Sequence, residues 1–168
     1  FFNHVYLLVE KKWVTHFHKI LDIGNLNYKI IEVDDNSSTL DKLYSFVKAF
    51  VNQEGNYMFS YPDIFAKDAF WQFPKFPSDK VLITKRPLSS RFPRVFLEPF
   101  NNNVKGVSDY KSKVPSNPHY IFCGKFLSNL SFLEGLLDSF LDAQNIDKRL
   151  EVGFFNWLAY KGSLLSES

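Results

Sequence analysis

The first third of the chain alternates strand and helix with almost no slack between them, and that alternation limits the fold more than any other feature. "HVYLLV" (residues 4–9) is a short, β-rich apolar run. "KKWVTHFHKILD" follows, with Trp13, Phe17, Ile20 and Leu21 at helical spacing and Gly24 marking its end. "NYKIIEV" (27–33) is a second strand. "NSSTLDKLYSFVKAFVNQEG" reads as a helix: Ser38 and Asp41 match a capping box, and Leu40, Leu43, Tyr44, Val47 and Phe50 form its apolar stripe before Gly55. "NYMFSY" (56–61) is a third strand. Two strands joined through a helix must run parallel, because the crossover returns the chain to the same end of the sheet. The three strands are therefore expected to be parallel neighbours in one sheet, with the helices on its faces.

The second half changes character. "KVLITKRP", "RVFLEPF", "VKGVSDY" and "HYIFCGKF" are short strands, the second and third joined by an Asn-rich turn at 101–103. Ser131 and Glu134 match the cap of a helix carrying Leu133, Leu136, Leu137, Phe140 and Leu141, and a last helix is expected from Glu151 to Tyr160, before Gly162. Antiparallel strands added to a parallel core predict a three-layer α/β/α fold with a mixed, mainly parallel sheet. At 168 residues the chain suits one domain, 1–168, better than two. It opens inside strand-like sequence and ends in "KGSLLSES" without an obvious closing element, the pattern of a fragment or of a domain without its flanks.

Nineteen Phe, eight Tyr and three Trp in a chain that is 45% hydrophobic argue for a packed core rather than disorder. Net charge is +2 with both signs interleaved, so no basic block points to nucleic acid. No run approaches the length of a membrane span. Cys123 is the sole cysteine and cannot form an internal disulfide, which fits a reducing, cytoplasmic setting.

Chemistry is concentrated where strands end. Ligands of open parallel sheets sit beyond the carboxyl ends of the strands, and Asp63 follows the third strand by two residues, after Pro62. A single carboxylate there suits Mg²⁺, which takes one or two protein carboxylates and leaves the rest to water and phosphate. A Tyr-Pro-Asp turn capping the next segment explains the same residues. Asp34 and Asp35 end the second strand at the same edge, either as a metal-holding acidic pair or as solvated acids beside a helix N-terminus. Ser38 and Thr39 open that helix and could receive a nucleotide's base or phosphate, or simply cap it. His16 and His18 point to different helix faces, and His4 and His119 are isolated. The seven glycines are scattered, and none builds a phosphate cradle.

In this order the elements resemble the sugar-phosphate nucleotidyltransferases, the enzymes that make nucleotide sugars. "NHVYLLVEKKWVTHFHKIL" resembles that family's strand and helix after its first βα unit. "IIEVDDNSSTLDKLYSFVKAFV" is similar to its Gly-Thr-Ala-Asp-Ala-Leu segment, with Thr39, Asp41 and Leu43 retained and serine where glycine is usual. "NYMFSYPDIF" resembles the strand ending in Gly-Asp. "RFPRVFLEPFNNNVKGVSDYKSKVPSNPHYIFCGKF" resembles the substrate hairpin, the Glu-Lys signature and the next strand; Lys111 matches the lysine and Tyr110 replaces the glutamate. "EVGFFNWLAYKG" is similar to a helix carrying an Asp-hydrophobic-hydrophobic pattern. The resemblance spans most of residues 3–162.

The resemblance implies a nucleotide-diphospho-sugar transferase-like fold and transfer of a nucleotidyl group from a nucleoside triphosphate to a sugar 1-phosphate. It implies Mg²⁺ on Asp63, the acceptor phosphate on Lys111 as the catalytic lysine, and the nucleotide near Ser38 and Thr39. A homo-oligomer is left open. The family's glycine-rich loop with its Arg and Lys would precede Phe1, and "SLLSES" does not supply the family's second metal aspartate, so the chain by itself is expected to turn over little. Two other readings stay open: a non-catalytic binding or assembly module of the same fold, and a related glycosyltransferase holding its metal on Asp34 and Asp35.

Overall fold

The computed structural model describes residues 4–24, 28–50, 52–53, 55–62, 64, 71–87, 93–99, 101–109 and 120–167. They fall into two compact units, Phe1–Phe50 and Val51–Ser168.

In the first unit, β1 (Tyr6–Glu10) and β2 (Lys29–Val33) pair in parallel, Tyr6 against Lys29 through Glu10 against Val33. The crossover between them is a 3-10 turn, Lys11–Trp13, running into α1 (Val14–Gly24). The predicted spacing is helical, yet Trp13, Phe17 and Ile20 are exposed. After β2, α2 (Thr39–Phe50) buries Leu40, Leu43, Phe46 and Val47. Phe46, outside the predicted stripe, packs edge-on against Tyr6 with ring centroids 5.5 Å apart and stacks on Phe50 at 4.8 Å.

The second unit is built on a six-stranded mixed sheet. Its path is β6 (Val104–Ser108), β5 (Arg94–Leu97), β7 (Tyr120–Asn129), β4 (Val81–Pro87) and β8 (Leu164–Glu167), with β3 (Asn56–Ser60) also on β7. Mixed pairing is as expected, but the balance is a correction. Among the described residues β4 and β8 pair in parallel, whereas β3, β4 and β5 all meet β7 antiparallel and β5 meets β6 antiparallel. The third predicted strand, β3, belongs to the second unit, where it pairs antiparallel with β7 rather than in parallel as expected. β7 is the reason: at ten residues it is the longest strand, and it offers a long apolar ladder to three partners.

α3 (Leu130–Asp142) follows β7 without a loop and buries Leu130, Leu133, Leu137 and Phe140. Its cap is Asn129 rather than the predicted Ser131: the Asn129 side chain accepts from the N–H groups of Ser131 (3.0 Å) and Phe132 (3.4 Å). At the other end Lys148 donates to the carbonyls of Phe140, Leu141 and Ala143, each at 2.9 Å, satisfying acceptors that a helix C-terminus leaves open. The last predicted helix is half π-helical, Leu150–Phe155, before α4 (Asn156–Tyr160). Gly153 permits this tight turn, since a Cβ there would collide with the Asp147 carbonyl. Phe155 then meets Phe122 and Phe126 edge-on, each at 5.2 Å, forming the centre of the core.

"SLLSES" contains a strand that the sequence reading missed. β8 is held from two sides: by β4, and by the Asn-rich turn, whose Asn102 carbonyl accepts from the Ser166 N–H (2.9 Å) and hydroxyl (3.1 Å). That turn is itself fixed by Glu98, which accepts from Asn101 (3.0 Å) and Asn103 (2.9 Å).

Candidate functional site

In the first unit the carboxyl ends of β1 and β2 gather charge. Glu10, last in β1, pairs with Lys12 (2.8 Å) and Lys42 (2.9 Å). Hydrogen bonds from those two lysines, joined by the Asn36 backbone, hold its carboxyl down at about 2. Asp34 pairs with Lys11 at 2.7 Å, and that bond lowers the Asp34 carboxyl and raises the Lys11 ammonium. Asp35 accepts from the Lys12 backbone N–H at 3.1 Å. Asn36 turns the chain with φ of 64°, a left-handed conformation that asparagine tolerates.

Thus Asp34 and Asp35 do lie at the strand edge, but both are engaged by the segment after β1. A metal held there would have to displace Lys11. Among the described residues no three His, Cys, Asp or Glu side chains converge as a metal site.

Ser38 and Thr39 sit at the start of α2, as the sequence reading has them. Ser38 forms the reciprocal capping box with Asp41: its hydroxyl donates to the carboxylate at 2.7 Å, its N–H donates at 3.0 Å, and its Oγ accepts the Asp41 N–H at 3.1 Å. The Ser38 side chain is thereby committed to the helix start.

In the second unit a bulge in β7 shapes one face of the sheet. β4 and β7 are in register at Ile83 opposite Phe126 and again at Lys85 opposite Phe122, so Cys123, Gly124 and Lys125 together oppose Thr84 alone. Gly124 takes φ of 78°, as bulge residues often must. A Cβ on it would lie 2.5 Å from Ile64 Cδ1 and 2.9 Å from Tyr61 Cδ2, so these side chains close directly onto the strand backbone. The Tyr61 N–H donates to the Gly124 carbonyl at 3.1 Å, its ring lies 6.2 Å from Phe122, and its hydroxyl donates to Glu151 in the π-helical turn.

Lys85 shares this face, because directly opposed residues of an antiparallel pair project to the same side. It is only 5% exposed, and its ammonium lies 5.2 Å from the centroid of the Tyr120 ring. Burial lowers its affinity for a proton, partly offset by attraction to Glu167. The neighbouring lysine differs. Lys125 pairs with Glu167 at 2.9 Å, and the Thr84 hydroxyl donates to the same carboxylate oxygen at 3.2 Å. Cys123 is half-buried, and burial pushes its thiol up against the weaker opposing pull of Arg86 and Lys125.

Asp63 and Lys111, the metal ligand and acceptor lysine named from the resemblance, lie outside the described residues, as does Tyr110. Tyr61 and Ile64, which bracket Asp63 in sequence, are described, and both close on Gly124. Lys85, Gly124 and Glu151 escaped the sequence reading. Gly124 alone had a readable signal, an isolated glycine within an apolar strand, which marks a bulge or a close backbone approach.

No protein-family model matches the chain, and no curated protein matches it in sequence. Solved structures do. A nucleoside-diphosphate-sugar pyrophosphorylase from Vibrio cholerae is similar over 96% of this chain and 71% of its own, with a TM-score of 0.61 and 11% identity. A Bacillus anthracis protein described as a glucose-1-phosphate thymidylyltransferase, solved with a sucrose, covers 96% and 66% with a TM-score of 0.67 and 13% identity. The inositol-1-phosphate CTP transferase of T. maritima covers 96% and 65% with a TM-score of 0.68 and 13% identity. The chain thus spans about two thirds of the length of these proteins. At such identities the likeness speaks for architecture: the chain has the α/β fold of the nucleotidyltransferases that these three structures represent.

Proposed function

We propose that this chain is the nucleotidyltransferase portion of a protein that joins a nucleoside triphosphate to a sugar 1-phosphate, for surface-polysaccharide synthesis in the cytoplasm. The observation that carries the reading is the likeness of fold over 96% of the chain to structures described as acting on nucleotides and sugar or inositol phosphates. In the reaction, an acceptor phosphate oxygen attacks the α-phosphorus in line, a new P–O bond forms, and the bond to pyrophosphate breaks. Positioning and charge neutralisation do most of such work. Lys111 would hold the acceptor phosphate, and residues Ser38 and Thr39 would lie near the nucleotide. Asp63 is the proposed ligand of a Mg²⁺ ion, which when bound would offset phosphate charge.

The test is the Asp63→Asn protein. For a carboxylate whose task is the metal alone, isosteric loss of its charge should move stability by no more than about 0.5 kcal/mol, while Mg²⁺-dependent binding of a triphosphate should disappear. Pyrophosphate release, measured with each of the four nucleoside triphosphates and several sugar 1-phosphates, reads the transfer itself. Triphosphate binding that survives in Asp63→Asn, together with a marked fall in thermal midpoint, would make the carboxylate a structural cap. A second reading, a non-catalytic module of the same fold, is favoured by Tyr110 standing where the resembling family has glutamate. It predicts ligand binding without pyrophosphate release.

A further inference from the structure

We draw no further inference here: the strongest candidate, the exposed apolar stripe that runs from Trp13 onto α1 through Phe17 and Ile20 in the first unit, is a helix face, and nothing in the structure shows what covers it.

Discussion

The same substitution, glycine to alanine, should have opposite signs at two positions of the second unit. Gly124 lies at φ of 78°, where an L-residue with a Cβ is strained by about 1–2 kcal/mol. The new methyl would also meet Ile64 Cδ1 at 2.5 Å and Tyr61 Cδ2 at 2.9 Å. The isoleucine tip can rotate away. The tyrosine is less free, being held by its N–H bond to the Gly124 carbonyl and its hydroxyl bond to Glu151. Overpacking of this sort costs about 1–3 kcal/mol, so Gly124→Ala should lose ~2–5 kcal/mol in all. Gly135 lies within α3, and a Cβ there has nothing within 4 Å. Its replacement should gain about 0.5–1 kcal/mol by restricting the unfolded chain and favouring the helix. Urea and thermal unfolding of the two variants provide the assay. For a chain of this size each kcal/mol moves the midpoint by about 2–4 °C, so Gly124→Ala should fall by roughly 4–20 °C and Gly135→Ala should rise by about 1–4 °C. Shifts of the same sign, or a Gly124→Ala loss below about 0.5 kcal/mol, would mean that β7 does not bulge there as described.

Two further predictions concern charge and capping. Glu10 is held at about 2 in the folded chain against an ordinary 4.5, so its contribution to stability is complete above about pH 4.5 and is lost as pH falls through about 2. Asp34, Asp147 and Glu98 are lowered too and act in the same direction. Glu10→Gln should flatten the acid limb of thermal midpoint against pH, and an unchanged limb would exclude the Lys12 and Lys42 pairings. Asn129→Ala should cost about 1 kcal/mol as a lost N-cap, whereas Ser131→Ala should stay within about 0.5 kcal/mol, as a surface change. The reverse order in urea denaturation would restore Ser131 as the cap.

The sequence carried the elements of the first unit because their signals are local. The Ser38–Asp41 box, the stripe of α2 and the crossover that forces β1 and β2 parallel are all settled within about fifty residues, and each is found in place. β3 was misassigned in partner rather than in type. Its apolar run says strand, but its antiparallel pairing with β7 depends on a segment seventy residues away that alternation alone does not point to. β8 was missed for a related reason. Four residues of "LLSE" have little periodicity of their own, and what makes them a strand is β4 on one side and the Asn102 carbonyl on the other. The N-cap of α3 moved because Asn129 ends β7 and starts the helix at once, a double role that a capping pattern centred on Ser131 conceals.

The candidate site divides along the same line. Ser38, Thr39, Asp34 and Asp35 were readable as strand-end and helix-start residues, though not that Lys11 and Lys12 would engage the two acids. Lys85 was not readable at all. In "KVLITKRP" it stands two residues before a proline, near the end of an apolar run, where a lysine ordinarily extends its ammonium to solvent along its own aliphatic stem. Burial is imposed from β7: two extra residues at the bulge reset the register, bring Phe122 opposite Lys85 and set Tyr120 beside its ammonium. Three residues of the partner strand stand across from one, with a left-handed glycine at their centre. Neither strand carries that information separately. A substitution that removed the bulge would therefore change the setting of Lys85 without touching it, because the left-handed backbone that glycine adopts freely at position 124 sets which residues of β7 stand across from β4.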